Sequence, residues 1–234
     1  MSNIDRNEIV SEYYAKHYRN VHYKGILGVF TRGYHRGLEK NLGRECHFSN
    51  VLEIGGGTGE SLDFVQHDFD SYTLLDISEN VNGLEKLKLD PRTLRIKFIL
   101  ADATSIPSGD NLFDRVIVTC VLHHIPNLEL ALTEIRRVAK PGAQIDLYLP
   151  CDPGVLYRWI RHWISHVKQK RAMKLTRTKV KFLWALEHRN HYLGILSMIK
   201  EIFIQDKLKI VRFPFRFFSW NFNLYTLIRI QVVK

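Results

Sequence analysis

The chain is poor in cysteine. Its three, Cys46, Cys120 and Cys151, are odd in number and far apart, with no C-x-x-C pair and no histidine–cysteine group at zinc spacing. A disulfide framework and a structural metal are therefore not expected. The adjacent His123 and His124 are not expected to ligate together either, because neighbours on a strand point to opposite faces. The expectation is no metal. No apolar stretch approaches the roughly 18 to 20 residues that a membrane-spanning helix needs. The start, Met1-Ser2-Asn3-Ile4-Asp5-Arg6, has neither the basic region nor the apolar run of a secretion leader, so a cytoplasmic location is expected. Internal repeats and low-complexity tracts are absent.

Acidic residues are scarce in one part only. Residues 1–150 carry 17 Lys+Arg against 20 Asp+Glu, whereas residues 151–234 carry 17 against 4. The whole net charge of +10 thus belongs to the last third of the chain. At 234 residues, 45% of them hydrophobic, the chain can bury one α/β core and is short for two. A single domain is expected.

The most informative stretch is Val51-Leu52-Glu53-Ile54-Gly55-Gly56-Gly57-Thr58-Gly59-Glu60. A short apolar run enters a glycine cluster, and helical spacing resumes at Ser61, which reads as buried strand, tight turn and helix start. Glycines there permit positive φ and the close approach of a ligand. The dinucleotide fingerprint G-x-G-x-x-G fits in no frame, since Glu60, Thr58 or Ser61 stands where a glycine is needed. A P-loop is excluded by the missing Gly-Lys-Ser/Thr. What remains is Glu53-x-Gly55-x-Gly57-x-Gly59.

Further strands follow. Tyr72 to Asp76 ends in a carboxylate about 20 residues past the glycines, where an acid can take both hydroxyls of a ribose. Ile96 to Leu100 runs into Ala101-Asp102-Ala103, and Phe113 to Thr119 runs into Cys120-Val121-Leu122-His123-His124. Ala139-Lys140-Pro141-Gly142 stops a helix and leads to a fifth strand, Gln144 to Leu149. Helical patterns fall at 61–68, 79–89 and 127–139. This alternation predicts a doubly wound, mostly parallel sheet with helices on both faces and the ligand at its carboxyl edge.

From Asn50 to Leu149 the succession resembles class I S-adenosylmethionine-dependent methyltransferases, in particular the small-molecule branch, methyltransferase type 11-like, that contains ubiquinone and menaquinone biosynthesis C-methyltransferases. The resemblance implies a Rossmann-like seven-stranded sheet closed by a C-terminal antiparallel hairpin, and S-adenosyl-L-methionine as cofactor. It implies that Glu53, Gly55, Gly57 and Gly59 surround the methionine part of that cofactor. Asp76 would hold the ribose, Asp102 with Ala103 would edge the adenine, and Ile77, Cys120 and Tyr14 complete the cofactor-binding set. Tyr13 and Tyr18 are alternatives to Tyr14, because N-terminal helices in this family cover the cofactor.

The domain then divides into N-terminal covering helices (1–45), a cofactor-binding core (50–149), a basic helical insertion or lid (151–206) and a C-terminal hairpin (207–234). In the insertion, residues 153–171 place Leu156, Trp159, Ile160, Trp163, Ile164 and Val167 on one helical stripe, with bases over much of the rest. Helical spacing continues from Lys174 to Phe203, interrupted by Glu187-His188-Arg189-Asn190-His191-Tyr192.

Methyl transfer from a sulfonium needs alignment, exclusion of water and, for some acceptors, a base. His123 and His124 are the catalytic candidates, since they follow the fourth strand and titrate near neutrality; His188, His191 and Tyr192 rank behind them. Cys120-Val121-Leu122-His123 stands where an Asn-Pro-Pro-Tyr type motif for amino groups would be. With no RNA-binding module in view, nucleic acid is disfavoured. The expected acceptor is a small molecule, with anionic and lipid-linked acceptors and a peripheral membrane contact suggested by the basic charge. Competing readings are an inactive S-adenosylmethionine-binding regulatory protein, an RNA-directed methyltransferase and a dinucleotide oxidoreductase.

Overall fold

The computed structural model describes residue 9 and residues 12–57, 59–78 and 91–233, without the side chains of residues 14, 15, 18, 19, 26 and 166. Its centre is a seven-stranded sheet in the order β3-β2-β1-β4-β5-β7-β6. The strands are β1 (His47–Ile54), β2 (Asp68–Asp76), β3 (Ile96–Leu100), β4 (Phe113–Thr119), β5 (Ala139–Pro150), β6 (Lys207–Phe213) and β7 (Tyr225–Gln231). The first five pair in parallel; β7 lies antiparallel between β5 and β6. The central strands are buried on both faces and mostly apolar, with Glu53, Arg115 and Asp146 as buried charged exceptions.

Helices cover both faces. A π-helical turn (Tyr13–His17) runs into α1 (Tyr18–His22), followed by α2 (Gly25–Leu38). Tyr34 and Leu38 of α2 pack on Val51, Phe69, Tyr72, Leu74 and Ile117. On the other face lies α3 (Leu128–Val138), whose Leu128, Ala131, Leu132, Ile135 and Val138 recur at helical spacing and are all buried. The Asn127 side chain caps it by accepting from the Leu130 N–H at 3.2 Å. The later helices are α4 (Val155–Ile160), α5 (His166–Met173), α6 (Arg177–Glu187) and α7 (Tyr192–Ile202), with a π-helical turn, Arg161–Ser165, between α4 and α5. Among the described residues no helix is long and apolar enough to cross a membrane.

A buried charge cluster ties the layers together. Arg115 of β4 donates two hydrogen bonds to the Glu39 carboxylate, at 2.8 and 3.1 Å, and one to Asp146 of β5 at 3.0 Å. It also donates to His67 Nε2 at 2.6 Å, while His67 Nδ1 donates to the Asp68 carbonyl. Burial and the Arg115 charge lower the His67 pKa to about 4, so the ring is a neutral acceptor. Arg229 of β7 donates to the other Asp146 oxygen at 2.7 Å and to the Leu38 carbonyl.

Several expectations need correction. The helix expected over 61–68 is only a 3₁₀ turn, Glu60–Asp63, because β2 begins at Asp68 and leaves too few residues for a longer helix. Its predecessor Gly59 has φ +71°. The helix expected over 79–89 lies outside the described residues. The helix expected over 153–171 is present as a continuous run over 155–173 with a π-helical turn inside it, but its stripe is split: Leu156 and Ile160 pack inward, while Trp159 and Trp163 are 60% and 57% exposed. The break expected between two helices near 187–192 is present, with α6 ending at Glu187 and α7 starting at Tyr192.

Candidate active site

The carboxyl ends of β1, β2, β3, β4 and β5 open on one edge, and the glycine turn closes over it. Gly55 N–H donates to the Leu75 carbonyl at 2.8 Å, folding the turn onto the end of β2. Gly55 and Gly57 have φ of +73° and +49°, a region that side chains with a Cβ enter only at a cost. A Cβ at Gly55 would also meet the Val121 side chain at 2.9 Å, whereas above Gly57 the nearest atom among the described residues, its chain neighbours aside, is 4.0 Å away. The turn thus packs tightly against the β4 tip and leaves room over Gly57 for a ligand.

Asp76 ends β2 beside that room. Its Oδ2 accepts from Gly57 N–H at 2.9 Å, and its Oδ1 accepts from the Ser78 N–H and hydroxyl. Ile77 next to it is 73% exposed. At the end of β3, Asp102 is exposed and accepts from the Thr104 N–H and hydroxyl, both at 2.8 Å, and Ala103 is buried. Cys120, at the β4 tip, has φ +57°. Burial raises the phenol pKa of Tyr13, Tyr23, Tyr148 and Tyr157, and the Cys120 thiol adds to the rise in each.

Glu53 is turned inward and only 1% exposed. Its carboxylate accepts from Ser61 Oγ at 2.5 Å and Tyr72 OH at 2.8 Å. Burial raises its pKa to about 7, against the lowering effect of the two hydroxyls. It holds β1, β2 and the turn together from within. Of the N-terminal tyrosines, Tyr13 is buried against Trp184 of α6, with its hydroxyl 2.9 Å from His22 Nε2. The side chains of Tyr14 and Tyr18 lie outside the described residues.

His123 and His124 do not sit on a strand. They lie in the turn after β4, with ring centroids 4.0 Å apart, so the expectation that neighbours point away from each other fails here. His188, from the break between α6 and α7, joins them at 4.5 Å from His123 and 5.1 Å from His124. The break is fastened to the β4 tip: Arg189 and Asn190 N–H both donate to the His123 carbonyl, and the Asn190 amide donates to the Leu122 and Ile125 carbonyls.

Each ring is set by a neighbour. His124 Nδ1 donates to the Glu187 carbonyl at 3.0 Å, and His188 Nδ1 donates to Asp152 Oδ2 at 2.9 Å. Arg161 donates to the same carboxylate oxygen at 2.7 Å. Burial opposes ionisation of Asp152, but the His188 hydrogen bond and the Arg161 charge outweigh it and hold the carboxyl below its usual range. Burial likewise lowers the pKa of all three imidazoles, that of His124 to about 3. A cavity of about 480 Å³ adjoins the cluster, lined by Asp152, Arg158, Arg161, Lys181, Trp184 and His188 among others.

Asp152 and Arg161 are site residues that sequence reasoning missed. Asp152 follows the fifth strand tip, the same position in its strand that singled out Asp76 and Asp102. His191 also lines the cavity, whereas Tyr192 is buried at the start of α7, with its hydroxyl accepting from Thr226 at 3.0 Å.

The family model for a methyltransferase domain matches residues 52–145, from the middle of β1 through the first half of β5. The similarity to that family covers less than half of the chain. The chain is 37% identical over 136 residues to a demethylmenaquinone methyltransferase of Leptospira interrogans, covering 56% of this chain and 52% of that protein. It is 36% identical over 98 residues to the ubiquinone/menaquinone biosynthesis C-methyltransferase UbiE of Cupriavidus taiwanensis, covering 41% of this chain and 40% of that one. The chain thus spans about half the length, or less, of these curated relatives. Among solved structures, the N-methyltransferase NodS from Bradyrhizobium japonicum, in complex with S-adenosyl-L-homocysteine, superposes with a TM-score of 0.59 at 16% identity, over 88% of each chain. The chain thus shares its fold with that methyltransferase, and the cofactor of the domain that the family model describes is S-adenosylmethionine. The open space over Gly57, with the Asp76 carboxylate at its side, fits that group.

Proposed function

We propose that the chain transfers the methyl group of S-adenosylmethionine to a small anionic or lipid-linked acceptor. One observation carries the first half: the glycine turn and Asp76 meet through Gly57 N–H at the carboxyl edge, where a nucleoside can be held by its ribose. When bound, the cofactor supplies an electrophilic methyl on a sulfonium. Gly55, Gly57 and Gly59 form its bed, Asp76 takes the ribose hydroxyls, and Ile77, Asp102 and Ala103 flank the adenine. Cys120, at the β4 tip, lies toward the methionine end. Glu53 supports this bed by fixing the turn rather than by touching the ligand.

The acceptor side rests on the cavity beside the three histidines. Arg158, Arg161 and Lys181 in its wall outnumber Asp152, and that carboxylate is already engaged by Arg161 and His188. A negatively charged acceptor is the complement. His123 and His124 follow β4 and pack on His188, which lines this cavity; a base for an acceptor proton belongs near there. Trp159 and Trp163, exposed near the same basic helices, favour delivery of the acceptor from an anionic membrane surface.

A thermal-shift titration tests the cofactor reading. S-adenosylhomocysteine should raise the melting temperature and NAD should not; stabilisation by NAD alone would replace this reading with an oxidoreductase.

A further inference from the structure

We infer that His123, His124 and His188 form a binding site for one divalent transition-metal ion of the zinc class, at the junction of the β4 tip and the 188–191 segment. Each residue offers a ring nitrogen, and the three nitrogens lie within 4.8 Å of one another. They come from two distant parts of the chain, held in place by the hydrogen bonds from Arg189 and Asn190 to the His123 carbonyl. The second coordination shell is present as well. His124 Nδ1 is held by the Glu187 carbonyl, and His188 Nδ1 by the Asp152 carboxylate with Arg161 3.2 Å away. Carbonyl- and carboxylate-held histidines of this kind are the usual partners of a metal ion.

His123 supplies the second, independent observation. It is only 4% exposed, and its Nδ1 has no hydrogen-bond partner among the described residues. Buried polar atoms without partners are rare because leaving one unpaired is costly. Ring-on-ring packing accounts for the contacts among the imidazoles but leaves that nitrogen unsatisfied; a bound cation would satisfy it. Three imidazoles without a thiolate suit zinc or its neighbours, and three ligands leave a fourth position open. A tetrahedral ion at about 2.0 to 2.1 Å from each nitrogen brings ligand atoms to about 3.3 Å, so the rings must close in on binding. His188 and Asp152 also line the cavity, so the open position would face it and take water or an oxygen of an anionic acceptor. That last role rests on the proposed function; the ion site stands on the histidines alone.

The test uses the full chain, stripped with a chelator and dialysed. Zinc chloride is titrated by calorimetry and cobalt chloride by visible absorption, with S-adenosylhomocysteine titrated into the same preparation. The expected result is one equivalent of either metal and the intense visible bands of tetrahedral cobalt. Asp152→Asn should weaken binding about 10- to 100-fold, and His188→Gln should abolish the one-equivalent step. With 11 histidines in the chain, undiminished binding by His188→Gln would place the ion elsewhere and overturn the inference. The same holds if wild-type protein binds S-adenosylhomocysteine but no stoichiometric metal, a result that leaves the methyltransferase reading intact. An octahedral cobalt spectrum would overturn it without recourse to any variant.

Discussion

The backbone N–H of Gly57 donates to the carboxylate of Asp76 over 2.9 Å. One oxygen thereby fixes the turn while the half-exposed carboxylate remains at the edge of the ligand space. Hydrogen bonds to a charged partner contribute about 1.5 to 3 kcal/mol each. Asp76→Ala should weaken S-adenosylhomocysteine at least about tenfold by calorimetry, in a protein whose circular dichroism is unchanged. Equal affinity would remove the carboxylate from the nucleoside site.

Replacing His123 or His124 by Gln should lower turnover more than cofactor affinity. General acid–base assistance is typically about 10²- to 10⁴-fold. Single-turnover transfer and S-adenosylhomocysteine calorimetry, run on each variant, separate the two effects. Wild-type turnover in both would leave proximity as the whole mechanism.

Glu53 gives a pH signature of opposite sign to that of a salt-bridged acid. Its folded pKa is raised from 4.5 to about 7, so the native state holds a proton that the unfolded chain releases. Its contribution therefore destabilises as pH rises from about 4.5 to 7 and is constant above that, reaching about 3 kcal/mol. In Glu53→Gln that slope should vanish. Urea melts across this window check it through the difference between variant and wild type; parallel curves would refute the raised pKa.

Arg115 is fully buried among Glu39, His67 and Asp146. Removing one partner of a buried charged pair typically costs about 3 to 5 kcal/mol. Arg115→Met should lose stability of that order in urea unfolding, while the double change Arg115→Met with Glu39→Gln should recover part of it. A neutral effect of the single change would mean that water replaces the guanidinium.

The exposed Trp159 and Trp163 accompany a segment with 17 bases and 4 acids. Binding to anionic vesicles should be salt-sensitive and absent with neutral ones, and Trp159→Ala with Trp163→Ala should weaken it. Cosedimentation at low salt measures this. No binding there would assign the charge to the acceptor alone.

Much of the core was legible because its signals are local. Val51 to Gly59 announces strand and turn within nine residues, and Asp76 and Asp102 each end an apolar run. The order of the sheet came from the family resemblance, not from any spacing. Other features depend on distant pairings. Nothing near His123 indicates that His188 comes to meet it, since that contact is made by Asn190 reaching back to Leu122 and Ile125. The turn holding His123 and His124 reads as a strand continuation until Cys120, with φ +57°, ends the extended run. The tryptophan stripe looked uniform because helical spacing groups 156, 159, 160 and 163 on one broad face, whereas only the 156 and 160 side of that face packs inward.

β7 has a consequence for how the chain assembles on a ribosome. β6 joins the sheet only through β7, and β7 is made after it. A nascent chain extended as far as Phe213 has β6 in hand with nothing to pair it to, while β5 presents an open apolar edge. Arg229, which ties β7 to Asp146 and to the Leu38 carbonyl, arrives with that last strand. Synthesis therefore passes through a stage at which β5 and β6 wait on β7, until Tyr225 to Gln231 emerge.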